Sequence, residues 1–268
     1  MPGSDSWWDR QDDFEGEAES FVLASGISEP PVDLMHWCRD EDFIRVREVD
    51  LRGECDGLLR FKHGRFHLFY DSDPYKRRFN FAHEVAHYLM EEHAKAIADG
   101  GGQHASQAGF ISDKQMEREA DWFATGLLMP GFLFEPRCPD PNFRDIIKVA
   151  EAFDVSLTAA ALRTTRFTQI RTALVSSSAE SIKWCWCSEG MVFSGVFRAR
   201  KGNPPPRRSK TAEVLGNPEK FTPEPTEGGK CFASEWFEVK REDPVLWEEV
   251  FPMPEFSRAL TLLTFFED

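Results

Sequence analysis

Basic residues are in short supply. Thirty-two lysines and arginines face 46 aspartates and glutamates, which leaves a formal charge of −14. Such a chain repels phosphate everywhere except at a local basic patch, so direct nucleic-acid binding is not expected. The same charge favours solubility and would attract a basic partner. No apolar run approaches the roughly 18 residues of a membrane helix, so no membrane association is expected. The six cysteines, Cys38, Cys55, Cys138, Cys185, Cys187 and Cys231, are scattered without a regular disulfide framework. Residues 1–20 are polar and acidic and lack the apolar stretch of a secretory leader. Together these features point to a reducing cytoplasm. No internal repeat is found.

What is present is a globular composition. The chain has 268 residues, 41% of them apolar, with 24 Phe and 8 Trp. That is enough for one large or two modest hydrophobic cores. An acidic N-terminal segment runs into a helix that SGISEPP ends, and a short helix follows Pro31. Residues 43–50 alternate as a half-buried strand does, and Lys62-His63-Gly64 separates two hairpin strands. Asp73-Pro74 signals the start of a helix reaching about Glu92. Residues 96–112, with Gly100-Gly101-Gly102, read as a loop. A second helix spans about Lys114 to Met129 and is stopped by Pro130-Gly131. Two short helices over 143–166 break near Asp154. They resemble a helix-turn-helix, but a helical hairpin packed on the protein core suits the overall acidity better. After about residue 168, segments 182–187, 191–198 and 231–239 read as strands, with a tight turn at Ser188-Glu189-Gly190. Residues 200–230 hold six prolines and four glycines and read as a long loop. Cys185 and Cys187 alternate with Trp184 and Trp186 along one strand, which points to packing rather than a metal or redox site.

The chemistry concentrates in His83-Glu84-Val85-Ala86-His87. Spacing of four puts both imidazoles on one helix face, where they can grip a single ion. Glu84 projects beside them and can take a proton from a water polarised by the metal. A catalytic zinc site wants a third protein ligand. The second helix offers Glu117 and Asp121, which share a face. One can bind the metal while the other fixes a ligand histidine's tautomer. His93 and His104 lie near enough in sequence to line the cleft and stabilise an oxyanion. Tyr88 should point away from His87 into the core.

RRFNFAHEVAHYLM followed by MEREADWFATGLLMP resembles the ImmA/IrrE family of metallopeptidases. The likeness extends to GISEPPVDL and to the CDGLLRF and FHLFY strands, over about residues 15–166. It implies His83, His87 and Glu117 as ligands of one zinc ion, Glu84 as general base, and Asp121 as the partner of a ligand histidine, His83. Glu119 lies about 200° around the helix from Glu117. It is therefore expected to stand outside the site. The resemblance also implies a substrate, a helix-turn-helix transcriptional repressor.

The expectation is an α+β protein. A zincin-like zinc peptidase domain would occupy residues 1–167 and a smaller β-rich domain of open role residues 168–268. The alternative is a non-proteolytic regulator, or a toxin–antitoxin type of protein, that acts by binding a DNA-binding partner.

Overall fold

Short elements with alternating burial build the first half of the chain around one central helix. The computed structural model describes all residues except 1–6, 42–43, 74–75, 107–114, 195, 218–220, 240–242 and 266–268. The elements in order are α1 (Trp7–Ala24), α2 (Leu34–Asp40), β1 (Ile44–Val49), β2 (Gly57–Lys62), β3 (Arg65–Asp71), α3 (Arg77–Leu89), α4 (Glu91–Asp99), β4 (Gln103–Ser106), α5 (Gln115–Leu128) and α6 (Gly131–Phe134). The strands form one sheet in the order β1-β3-β2-β4, with β1 parallel to β3 and the other pairs antiparallel. The β2–β3 hairpin turns on His63 and Gly64, both at positive φ, the backbone that a two-residue hairpin loop demands.

Helix α3 packs against β2 and β3 on one side and α5 on the other. Residues 80–87 are all buried as a result. Successive residues on a helix are separated by about 100°, so His83 and Glu84 project toward different neighbours. Helix α5 in turn packs on α1. Their close approach depends on Gly126, where a Cβ would run into the Ala18 side chain and the Glu15 backbone.

Two expectations are corrected here. The helix ends at Leu89 rather than near Glu92, because Met90 turns extended (ψ 108°) and is buried; Glu91 and Glu92 then open α4, where acidic residues favour a helix N-terminus. Residues 96–112 are not simply a loop. Helix α4 continues to Asp99, and after a turn with Gly101 and Gly102 at positive φ, β4 pairs with β2. Gln103-His104-Ala105-Ser106 has no β-branched or aromatic residue, so the strand comes from the edge of β2 rather than from local preference. Pro74 and Lys114, expected at helix starts, lie outside the described residues.

The second half continues with α7 (Phe143–Phe153), α8 (Leu157–Phe167), β5 (Thr172–Ser177), β6 (Ile182–Cys187), α9 (Glu189–Phe193), β7 (Val196–Ala199), α10 (Lys210–Leu215), β8 (Gly229–Phe232), α11 (Ala233–Trp236), β9 (Phe237–Val239), β10 (Val245–Met253) and β11 (Arg258–Phe265). An antiparallel five-stranded sheet has the order β6-β5-β11-β10-β8, and β7 pairs with β9. Ala173, Val175, Ile182, Trp236, Phe237, Leu246 and Leu263 fill its core. The protein is α+β, with a β-rich C-terminal region.

The tight turn expected at Ser188 is a helix start. Its side chain accepts from the Met191 amide and caps α9, which removes residues 191–193 from the expected strand. Likewise α11 interrupts 231–239. Asp154, at φ 52°, makes the bend between α7 and α8. Helix α8 packs on β5 and β6, and Arg163 is buried with its guanidinium over the Phe167 ring, so it is not available to phosphate. Cys185 and Cys187 pack against the sheet core.

The chain divides into two compact units, residues 1–136 with 152–156 and residues 137–151 with 157–268. The segment 143–167 is shared between them. Among the described residues, no helix is long and apolar enough to cross a membrane.

Candidate metal centre

All five residues singled out by the motifs lie in the first unit, on the two facing helices α3 and α5. His83 and His87 stand one turn apart with their Nε2 atoms 3.2 Å from each other. Glu117 reaches across from α5, with Oε2 3.7 Å from His83 Nε2 and Oε1 3.5 Å from His87 Nε2. One ligand atom from each of the three residues lies within 4.8 Å of the others, and all three residues are buried. Two imidazole nitrogens and a carboxylate that converge in this way fit a divalent metal ion.

Asp121 sits one turn beyond Glu117, and its carboxylate accepts from His83 Nδ1 at 2.8 Å. With the Nδ1 proton committed there, the His83 lone pair is left on Nε2, pointing at the cluster. Burial works against a charge on His83, but hydrogen bonds to Asp121 and Glu117 overcome it and push its pKa up to about 10. Burial dominates at His87 and, with the neighbouring His83 and His104, takes it down to about 3. Burial alone would raise Glu117. Hydrogen bonds from His104, His83 and His87 instead hold it well below the usual carboxylate range. The pocket thus keeps Glu117 ionised, as a metal ligand must be.

Glu84 leaves α3 toward the sheet instead. Its carboxylate lies against Gly57 at the start of β2, where any Cβ would collide with it. Both of its oxygens are buried, and neither makes a well-formed hydrogen bond among the described residues. Burial raises its pKa to about 7, with His83, the nearby Ser106 hydroxyl and His104 pulling it back. A buried carboxylate without firm partners costs several kcal/mol in ordinary cores.

Three further residues belong to the cluster. His104, on β4, donates from Nε2 to Glu117 Oε1 at 2.7 Å. His93, in the first turn of α4, lies behind His87, with the two Nδ1 atoms 3.1 Å apart. Its Nε2 meets Glu119 Oε2 at 3.1 Å. Both histidines are thus engaged with the cluster. Glu119 is not the bystander that its helical position suggests. It does point away from Glu117, but α5 is covered on both sides, so its second face is buried too. There it meets His93, Gln115 and Arg10 of α1. No spacing rule links Arg10 to Glu119, and that pairing could be found only in three dimensions. Tyr88 is half-buried and packs near Phe66 and Trp37.

Residues 41–165 match the peptidase family M78 model, described as the IrrE N-terminal-like domain. This segment is an IrrE N-terminal-like domain. The IrrE-like domain contains His83, Glu84, His87, Glu117 and Asp121, whereas Arg10 precedes it. A solved structure titled "Mycobacterium tuberculosis transcriptional regulator" is similar over 97% of this chain and 79% of that one, with a TM-score of 0.59 and 15% identity. That likeness is one of fold. No curated protein sequence matches the chain.

Proposed function

We propose that this protein is a zinc-dependent endopeptidase that cuts a specific protein partner, a helix-turn-helix transcriptional repressor. The observation that carries the reading is the convergence of His83, His87 and Glu117 on one point, with the poorly partnered Glu84 carboxylate on the adjoining turn. Membership of a peptidase family supports the reaction class. His83, His87 and Glu117 would hold a zinc ion, which would supply a Lewis acid for the scissile carbonyl and for the attacking water. Asp121 keeps His83 in the tautomer with its lone pair toward the metal. Glu84 takes the proton as water adds to the carbonyl carbon. It returns that proton to the amide nitrogen as the carbon–nitrogen bond breaks, leaving a carboxylic acid and an amine. The net charge of −14 would steer a basic DNA-binding partner toward the chain. We assign it to the cytoplasm, where such a repressor acts.

The test is Glu84→Gln. The amide keeps the size of the side chain but cannot accept the proton. Zinc should be retained and cleavage of the repressor should fall on the order of 10²–10⁴-fold. Cleavage at the wild-type rate would remove Glu84 from the mechanism. A Glu84→Gln variant that still relieved repression would show action by binding, not cutting. Rapid, indiscriminate digestion of casein would count against a specific partner.

A further inference from the structure

Behind the metal cluster lies a buried chain of polar groups that leads away from it to the N-terminal helix. We infer that His93, Glu119 and Arg10 form a relay that positions His87 as a metal ligand, and that α1, outside the IrrE-like domain, is thereby part of the site. This inference rests on the metal-binding reading of His83, His87 and Glu117. It deepens that reading by assigning residues that the motif does not contain.

The argument starts at His87. Its Nε2 faces His83 and Glu117 and is the atom that would hold a metal. A neutral imidazole has one N–H, so an open Nε2 lone pair requires the proton on Nδ1. The only polar group within hydrogen-bond distance of His87 Nδ1 among the described residues is His93 Nδ1, at 3.1 Å. His93 must then accept there, which puts its own proton on Nε2. That nitrogen meets Glu119 Oε2 at 3.1 Å, an acceptor. Each link fixes the next, and the chain of donors has one consistent direction: His87 Nδ1–H to His93, His93 Nε2–H to Glu119. Glu119 is anchored in turn by the Arg10 guanidinium and by Gln115 Nε2 at 2.7 Å.

Burial makes the arrangement more than incidental. The side chains of His93 and Glu119 are 7% and 10% exposed, so water is a poor substitute for either partner. His83 has the equivalent support in a single step, from Asp121 on α5. His87 has it in two steps, because the second helical turn stands farther along α3 and faces the start of α4. The two ligand histidines therefore receive their orientation from different carboxylates of α5, four and two residues beyond Glu117: Asp121 directly, and Glu119 through His93. Arg10 adds a guanidinium at the far end, which donates to Glu119.

The experiment is a zinc titration of the full chain against a chromophoric chelator, with metal-free melting temperature and the nitrogen-15 shifts of His87 as companion readouts. His93→Ala and Glu119→Ala should each weaken zinc binding by about 10–100-fold, as loss of a ligand's supporting partner does. The double variant should be no weaker than the worse single one, because the two act in series. His93→Gln should recover most of the affinity, since its carbonyl accepts from His87 and its amide donates to Glu119. Arg10→Ala should give a smaller loss in the same direction. In the metal-free chain, His87 should carry its proton on Nδ1. Zinc affinity unchanged by His93→Ala, additive losses in the double variant, or a His87 proton on Nε2 would each overturn the relay. Should alanine at 93 prevent folding, Glu119→Ala carries the same test. The tautomer is read without metal or substrate, so failure to cut a repressor would defeat the peptidase reading and leave the relay standing.

Discussion

Glu84 has room for its carboxylate because residue 57 has no side chain. Gly57 begins β2 and is paired on both edges, to Tyr70 and to Ser106. It has no positive φ, so glycine is not required there by the backbone. What an added methyl group would meet is the buried Glu84 side chain, its Cγ as well as its carboxylate, at distances under 3.0 Å, so the whole side chain would have to shift. We therefore expect Gly57→Ala to lower the melting temperature, since overpacking a buried site costs about 1–3 kcal/mol. Cleavage should fall by about tenfold to 10²-fold, because displacement of a reacting group by an ångström is enough. Retained activity would mean that Glu84 does not act from where it stands. Two of the three acidic residues of α5 separate in the same way. Glu117→Ala removes a ligand and should abolish tight zinc binding. Asp121→Ala removes only the His83 partner and should weaken binding by about 10–100-fold. Equilibrium dialysis of both variants checks the order, and an Asp121 variant weaker than the Glu117 variant would reverse the assignment.

At the scale of elements, the site depends on α5 being held tightly between α1 and α3. Gly126 is where α1 comes nearest, with Ala18 and the Glu15 backbone filling the space of a Cβ. Backbone cannot step aside as a side-chain tip can. Gly126→Val should therefore force α1 and α5 apart and destabilise the protein by about 1–3 kcal/mol, as overpacking does, despite the better helix propensity of valine over glycine. Urea denaturation checks this, and an unchanged midpoint would refute it. The elements that sequence made legible were those with strong local signals: the His-Glu-x-x-His helix, the hairpin at His63-Gly64, the stop at Pro130. The elements that escaped it are stabilised by neighbours. Strand β4 exists because β2 offers an edge, and α9 exists because the Ser188 hydroxyl caps it. The metal cluster follows the same rule. His83 and His87 share regular helical spacing and could be read, and Glu117 is reached through its shared face with Asp121 and the family resemblance. His93, Glu119 and Arg10 come from α4, α5 and α1, and no periodicity joins them.

For the molecule as a whole, the division into two compact units decides what a truncation would do. Every residue of the metal cluster and its relay, from Arg10 to Asp121, lies in the first unit. Removal of residues 168–268 should therefore leave zinc binding intact. It would not leave a clean surface, however. Helix α8 belongs to the second unit and packs on β5 and β6, both of which the deletion removes. Ala160, Ala161 and Thr164, now buried, would face water, together with the face of α7 that bears Phe143 and Ile146. Contiguous apolar surface of this kind drives association. We expect the fragment 1–167 to bind one zinc ion with near wild-type affinity but to aggregate at concentrations where the full chain stays monodisperse. Zinc analysis and light scattering on the same sample distinguish the two effects. A folded, monodisperse fragment that held no zinc would show that the second unit contributes to the metal site. That result would overturn the placement of the whole cluster in the first unit.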